Sequence, residues 1–251
     1  MKFEHTRVFN FEGALRGMRN PKDSWHLSDT DFRPECTGEA FAGDCPDCRY
    51  FDGYENACIP RIGPKDMKLA QTLIRSGPEH RKFLRQIFVS VDITAPLYWW
   101  KEHSTYKVGT VSNSCSTLHK LASYPITKEC FELGDYNPAL TVDLEDGSPV
   151  TVDLLTDGLV EFLELLRLKY LETKDKRYWK ELVRWLPEGW LQKRTCTMSY
   201  ENLLAMCSKS QRRFHKLTEW SDDFIEWART LPYAQEFIFL DELDAGTEAR
   251  A

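Results

Sequence analysis

A segment of alternating apolar and polar residues, followed directly by a proline-started helix, constrains the fold of this chain most strongly. Between Phe83 and Ile93, apolar residues recur at spacings of two or four, with polar residues between them. This periodicity is typical of a β-strand that buries one face. Pro96 then presets a first helical turn, and the aromatic residues after it can continue the helix to His103. The sequence therefore predicts a buried strand followed directly by a short helix.

A polar stretch comes next. Residues 106–117 contain one lysine, many hydroxyl and amide side chains, and hardly any aliphatic residues. Such side chains bind neutral or anionic acceptors without burying a charge, so the stretch is typical of a loop that binds a phosphate or a base. The alternative is an ordinary capping loop before a helix at Thr117. Under the ligand-binding interpretation the candidate residues are Lys107, Ser112, Asn113, Ser114 and Ser116.

Periodicity elsewhere predicts helices around a sheet. A weak edge strand is expected near the start of the chain, and a short hairpin at residues 145–149. These features predict an α+β fold, with a mixed or antiparallel sheet flanked by helices, in one domain over residues 1–240. The acidic residues 241–251 suggest a disordered tail. Helices are predicted at 12–18, 64–77, 155–175, 176–187, 199–208 and 212–230.

Charge and hydropathy limit the classes of partner. The formal net charge of -6 argues against broad nucleic-acid binding, because proteins that bind the phosphate backbone usually carry a basic excess. No run approaches 18 apolar residues, and the first residues lack the features of a secretory signal. We therefore expect a cytoplasmic protein that binds neither nucleic acid nor a membrane, while a small anionic ligand stays compatible with the charge.

Residues 28–64 differ in composition from the rest of the chain. Gly, Asp, Pro and Cys dominate them and aliphatic residues are few, so we interpret the segment as a Cys-rich insertion in the domain. The central Cys-Pro-Asp-Cys pair suits a tetrahedral zinc ion, although the outer spacings are not those of a standard zinc finger. Free thiols are the alternative, as expected for a cytoplasmic protein. The candidate zinc ligands are Cys36, Cys45, Cys48 and Cys58.

The order of these features resembles the flavin-dependent thymidylate synthases. In that family a Gly-x-x-Ser-Pro-x-Glu-His segment enters a strand, a proline-initiated helix follows, and an Arg-His-Arg loop precedes an Asn-Glu-x-Ser-x-Arg-Tyr string. This chain has Gly77, Glu79 and His80 at the corresponding places. The Arg-His-Arg signature is missing, because residues 105–107 read Thr-Tyr-Lys, and residues 113–119 read Asn-Ser-Cys-Ser-Thr-Leu-His.

The second half of the chain extends the resemblance. The family has an Asn-Leu-x-x-Leu helix, with an Arg eleven residues after the Asn and a Trp seven residues later. Asn202, Arg213 and Trp220 keep these spacings. Asp223 stands where the family has a nucleotide-contacting Arg.

The resemblance implies an activity and assigns residues to it. It implies an FAD that is reduced by NADPH and delivers a hydride, while a one-carbon unit passes from a folate to C5 of dUMP, in a homotetramer with flavin sites between subunits. Without the Arg-His-Arg signature, a non-catalytic or altered-specificity nucleotide- or flavin-binding descendant is the alternative. No catalytic residue is assigned. The implied cofactor-binding residues are Glu79, His80, Lys101, Lys107, Asn113 and Asn202, and the implied substrate-binding residues are Ser112, Ser114, Ser116 and Arg213.

Overall fold

The computed structural model describes residues 1–32 and 59–248. Contacts divide the chain into two compact units. The first unit consists of Met1–Ile93, Ser104–Asn113 and Thr195–Ala251, and the second of Thr94–His103 and Ser114–Arg194. The single-domain interpretation of residues 1–240 stays a prediction.

A four-stranded sheet has the order β1-β2-β6-β3, with β1 at Lys2–Phe9, β2 at Phe88–Pro96, β3 at Val111–Ser114 and β6 at Leu191–Ser199. Alternate residues of β2 are buried, including Val89, Val91 and Ile93, which confirms the predicted strand. The first part of the predicted strand is absent, because residues 82–86 form a 3-10 helix instead. The reason is that Phe83 and Leu84 are adjacent and both buried, which a strand with one buried face does not allow. The predicted α+β fold, with an antiparallel sheet flanked by helices, is confirmed.

Two strands depart from the expectation. β3 lies inside the stretch that the sequence predicts as a loop, and all four of its side chains are exposed, so it has no apolar alternation. β6 has no counterpart in the prediction. Its buried positions include Gln192, Cys196 and Met198, none of them β-branched or aromatic, and this composition hides the strand pattern.

The helices of the first unit surround an aromatic core that includes Trp220, Phe224 and Phe237. The predicted helix at 212–230 is interrupted, since one helix ends at Phe214 and a π-helical segment at Glu219–Phe224 precedes the next helix, which begins at Ile225. The helices are α1 (Phe11–Arg19), α2 (Pro64–Arg75), α7 (Tyr200–Met206), α8 (Lys209–Phe214), α9 (Ile225–Arg229), α10 (Ala234–Phe237) and α11 (Leu240–Glu248).

Residues 241–248, which the sequence predicts as part of a disordered tail, belong to α11 in the structure. Glu242 pairs with Arg229 at 2.7 Å and with Arg212 at 2.8 Å. Asp244 pairs with Arg75 at 2.7 Å. The acidic residues that suggest disorder in the sequence are therefore the ones that tie this helix to basic residues from other parts of the first unit.

The second unit packs helices and a hairpin around a core of its own. Residues 97–103 form the predicted helix after Pro96, and β4 (Thr141–Asp143) pairs antiparallel with β5 (Pro149–Thr151), which confirms the predicted hairpin. Its helices are α3 (Leu97–His103), α4 (Thr117–Lys120), α5 (Val152–Thr173) and α6 (Lys176–Arg184). The buried cluster comprises Leu121, Ile126, Phe131, Leu163 and Leu182. Across the described ranges, no helix combines the length and the apolar character needed to cross a membrane.

Candidate functional site

A cavity of about 850 Å³ in the first unit contains two of the residues that the sequence singles out. Glu79 and His80 both line it, and α1 and α2 contribute to its wall. We call it the Glu79–His80 cavity. Its volume falls within the range of roughly 300–1,000 Å³ that is typical of small-molecule sites. Three lysines, Lys22, Lys65 and Lys82, also line it and make the wall suitable for an anion.

A buried ion pair stabilises this wall. The Nε of Arg19 donates to Asp66 Oδ1 at 2.5 Å, and both residues are buried. Asp66 also accepts hydrogen bonds from Ser28 Oγ at 2.5 Å and from Thr30 Oγ1 at 2.6 Å. Asp66 therefore compensates the charge of Arg19 within the protein. The three lysines that line the cavity remain available to bind a ligand.

The first turn of α2 is positioned by Asp29. Its carboxylate accepts hydrogen bonds from the backbone N–H groups of Lys65, at 2.9 Å, and Asp66, at 3.1 Å. Desolvation raises the pKa of Asp29, but these bonds outweigh it and lower the pKa below its ordinary value. The same turn thus holds Lys65 at the cavity and Asp66 in the buried pair.

The segment around Lys107 is tethered by Asn202. The Asn202 Nδ2 donates to the carbonyl of Val108 at 2.6 Å, while its Oδ1 accepts from the backbone N–H and hydroxyl of Ser199. Gly109 has φ +78, and a Cβ there would lie 3.1 Å from Asn202 Oδ1. These bonds occupy the amide oxygen and one of the two N–H groups, so Asn202 has a structural role and one donor left for a ligand.

Ring stacking fixes the middle residue of the Thr-Tyr-Lys triplet. The Tyr106 ring stacks on Trp220 with centroids 5.5 Å apart, and His215 stacks on the same indole at 4.9 Å. Lys107 and Arg213 are exposed, and within the described part of the chain neither takes part in an ion pair. The first unit therefore presents two exposed cations that could bind a ligand phosphate. Lys107 lies in the polar stretch and Arg213 lies in α8.

The remaining predicted site residues have surface positions. Lys101 pairs with Glu188 at 2.7 Å on the exposed surface of the second unit. The Ser116 hydroxyl accepts from the backbone N–H of His119 and caps α4, as in the capping alternative. Ser112 and Asn113 lie on β3 in the first unit, and Ser114 belongs to the second unit. Their assignment to a cofactor or a substrate stays a prediction.

A second buried polar cluster lies in the second unit. The Trp100 Nε1 donates to the carbonyls of Ala95 and Gln192, and the Arg194 guanidinium lies 4.3 Å from a Trp100 ring centroid. His103 is 3% exposed, and its Nε2 has no hydrogen-bond partner among the described residues. Burial, together with the Arg194 charge, lowers the pKa of His103 to about 4, so this ring is neutral near pH 7.

The candidate zinc ligands Cys36, Cys45, Cys48 and Cys58 lie outside the described residues. In the ranges 1–32 and 59–248, no three His, Cys, Asp or Glu side chains come together in a way that could hold a metal ion. The zinc site stays a prediction.

Replacing Asn202 should loosen the segment around Lys107. Asn202→Ala removes the tether to Val108 and the partner of Ser199, so we expect the free energy of unfolding to fall by about 1–2 kcal/mol. Asn202→Asp keeps an acceptor for Ser199 but removes the donor to Val108, and should cost less. Urea denaturation measures the loss, and faster tryptic cleavage after Lys107 in both variants reports the tether. Unchanged cleavage in both would contradict the role of Asn202.

The cavity residues that sequence reasoning missed are the three lysines. Lys22 and Lys65 come from segments distant in the chain from Glu79, so no spacing in the sequence connects them. Lys82 lies close to Glu79 in the chain, but a single lysine beside a strand is most often a solvated one. Only the folded arrangement identifies them.

No protein-family model matches the chain, and no curated protein matches it. Solved structures do match. A flavin-dependent thymidylate synthase from Helicobacter pylori, complexed with FAD and dUMP, is 15% identical with a TM-score of 0.60 and covers 96% of this chain and 99% of that chain. The UMP/dUMP methylase PolB from Streptomyces cacaoi, bound with 5-Br dUMP, is 13% identical with a TM-score of 0.52 and covers 95% of both chains. At these identities the likeness concerns the fold.

Proposed function

Because this chain has the fold of the flavin-dependent thymidylate synthases, which confirms the resemblance seen in its sequence, we propose that it is an enzyme of that type. It binds FAD and a dUMP-like nucleotide and transfers a one-carbon unit from a folate to C5 of the nucleotide. The observation that carries the proposal is the Glu79–His80 cavity, in which the Glu-His pair matched to the family lies beside lysines. One of the two solved neighbours is complexed with FAD and dUMP, and the other is bound with 5-Br dUMP.

The side chains of the cavity fit a flavin dinucleotide. Its pyrophosphate needs cations, which Lys22, Lys65 and Lys82 provide. Its ring system needs hydrogen-bonding groups, which Glu79 and Gln86 provide. FAD, when bound and once reduced by NADPH, would supply the hydride for the reaction. The part of the protein is to bind and orient the reactants through these contacts.

The exposed cations of the first unit suit the nucleotide phosphate. Arg213 can donate two parallel hydrogen bonds to a phosphate, whereas Lys107 acts as a point charge. Ser112 and Asn113 add a hydroxyl and an amide on strand β3, which follows Lys107 in the chain. We infer that these residues bind the nucleotide with fewer charge-assisted bonds than the family's Arg-His-Arg loop makes.

One observation favours a second candidate function. The middle of the triplet is Tyr106, whose phenol carries no positive charge and whose ring stacks against Trp220, so it cannot act as a cation toward substrate. A descendant that binds flavin or nucleotide without catalysis, or with altered specificity, accounts for this substitution. Both candidates use the same cavity and differ in turnover.

Turnover with a complete set of reactants separates the two candidates. Purified protein is incubated with FAD, NADPH, dUMP and a methylene-bearing folate, and the nucleotides are analysed by mass spectrometry. The synthase predicts dTMP that disappears when either FAD or the folate is omitted. Binding of FAD and dUMP without any product supports the descendant, and the absence of both binding and product rejects both candidates.

Reversing one lysine charge in the cavity should weaken ligand binding. Lys65 lines the cavity, whereas Lys68, one turn further along α2, does not. Two unit charges about 4 Å apart in water interact by roughly 1 kcal/mol, and reversal turns attraction into repulsion. We therefore expect Lys65→Glu to weaken FAD binding about tenfold or more, with a smaller salt dependence. In fluorescence titrations, Lys68→Glu should stay within about twofold, and equal effects of the two variants would contradict this site.

From the resemblance we further propose that NADPH is the reductant, that a folate donates the one-carbon unit and that the chain forms a homotetramer.

A further inference from the structure

An ion pair joins two distant segments of the first unit. The Nε of Arg81, which follows the Glu-His pair, donates to both carboxylate oxygens of Glu201 in α7, at 3.1 Å and 3.0 Å. The two side chains are only 19% and 18% exposed. Ion pairs that are partly shielded from water are weakened less by salt than exposed pairs are. The contact therefore fixes the position of one segment relative to the other.

Arg81 ends the turn that carries Glu79 and His80. The backbone N–H groups of His80 and Arg81 both donate to the carbonyl of Gly77, at 3.0 Å and 3.2 Å. Gly77 has φ +99, a conformation that glycine adopts at low cost. Glu79 and His80 line the Glu79–His80 cavity, whereas Arg81 does not. A movement of Arg81 therefore reaches the cavity through the two residues that precede it.

Glu201 belongs to the helical turn that tethers the segment around Lys107. Ser199 caps α7, and its hydroxyl donates to Asn202 Oδ1 at 2.7 Å. The Asn202 Nδ2 donates to the carbonyl of Val108 at 2.6 Å. Glu201 and Asn202 are adjacent in the first turn of this helix, so a shift of Glu201 changes the position of Asn202. The ion pair thus connects the turn of the cavity to the segment that carries Lys107.

We propose that Arg81 and Glu201 are positioning residues that couple binding in the Glu79–His80 cavity to binding at the segment around Lys107. The inference rests on the proposed function, with FAD in the cavity and the nucleotide phosphate at Lys107. A ligand that orders one of these segments orders the other through the ion pair, so the second ligand binds with less loss of conformational freedom. Neither Arg81 nor Glu201 contacts a ligand in this role.

Fluorescence titrations of the full chain measure this coupling. In the wild type we expect saturating dUMP to tighten FAD binding by about fivefold or more, and FAD to tighten dUMP binding by the same factor. Arg81→Met keeps an apolar stem but removes the guanidinium, whereas Glu201→Gln keeps the shape but removes the charge. In each variant the factor should fall below about twofold. A wild-type protein that binds both ligands independently of each other would overturn the proposal.

Another ion pair of the first unit provides the control for a purely structural effect. Arg229 and Glu242 pair at 2.7 Å with side chains 30% and 33% exposed, and neither is adjacent in the chain to the cavity turn or to Asn202. Arg229→Met should lower the thermal unfolding temperature but keep the wild-type coupling factor. If Arg229→Met and Arg81→Met reduce this factor equally, the positioning role is excluded.

A double variant tests whether the two side chains act as one unit. Arg81→Met combined with Glu201→Gln should lose no more coupling than either single variant, because each single change already breaks the same contact. Losses of coupling that simply add would contradict the paired role.

Hydrogen exchange without any ligand separates this inference from the proposed function. The amides of residues 106–110 should exchange about threefold faster or more in Arg81→Met and in Glu201→Gln than in the wild type, since the tether is loosened. In Arg229→Met they should exchange at the wild-type rate. Unchanged exchange in both pair variants would overturn the positioning role even where FAD and dUMP bind. A wild-type protein that binds neither FAD nor dUMP would instead reject the proposed function, and the exchange rates would still decide whether the pair holds this segment.

Discussion

Replacing Asp66 with alanine should lower the free energy of unfolding by about 3–5 kcal/mol, because a buried charge is then left without its partner. Arg19 would keep its positive charge in the interior, and the hydroxyls of Ser28 and Thr30 would lose their acceptor. Urea denaturation followed by circular dichroism measures the loss.

An exposed ion pair provides the control for this result. Arg75 and Asp244 pair at 2.7 Å with side chains 47% and 40% exposed, so Asp244→Ala should cost only about 0–1 kcal/mol. If Asp66→Ala and Asp244→Ala cost the same, the buried pair does not hold the cavity wall. Because Arg19 also lines the Glu79–His80 cavity, we expect Asp66→Ala to weaken FAD binding as well.

Acid should destabilise the protein through His103. Burial and the Arg194 charge lower the pKa of His103 from 6.5 to about 4 in the folded protein. Between these values the unfolded chain binds a proton that the folded protein does not. The stability contributed by the neutral ring is therefore fully present above pH 6.5 and is lost as the pH falls toward 4, by roughly 3 kcal/mol.

A variant without a titrating group at this position isolates the effect. His103→Phe keeps an aromatic ring against Trp99 and Trp100, and its free energy of unfolding should fall less between pH 6.5 and pH 4 than that of the wild type. His119→Phe, at an exposed histidine of the same unit, should keep the pH dependence of the wild type. A wild-type pH dependence in His103→Phe would show that this ring is not the acid-sensitive group.

Those parts of the fold whose residues repeat a simple pattern could be predicted from the sequence. The alternating residues of β2, the proline before α3 and the turn residues between β4 and β5 all act locally, and the structure has these elements. β6 could not be predicted, because Gln192, Cys196 and Met198 occupy its buried positions. α11 was missed since its stability comes from pairing with distant arginines, which composition does not reveal.

The residues of the candidate site were likewise only partly predictable from the sequence. Glu79 and His80 stand out in the sequence because they precede a buried strand and match the family's order. The lysines that surround them come from three separate segments, the 3-10 helices at Asn20–Lys22 and Lys82–Gln86 and the start of α2, which only the fold brings together. Asn202 keeps the family spacing from Arg213, yet most of its hydrogen-bonding groups are engaged by Ser199 and Val108. Spacing thus locates a residue in the fold without fixing what its side chain contacts.

Flavin uptake by the purified full chain tests directly whether this protein binds FAD and a dUMP-like nucleotide. The protein is incubated with FAD, freed of unbound flavin, and examined by absorbance before and after dUMP is added. We expect stoichiometric flavin absorbance that shifts with dUMP, is retained in Lys68→Glu and is strongly reduced in Lys65→Glu. A colourless wild-type protein that takes up no FAD would contradict it.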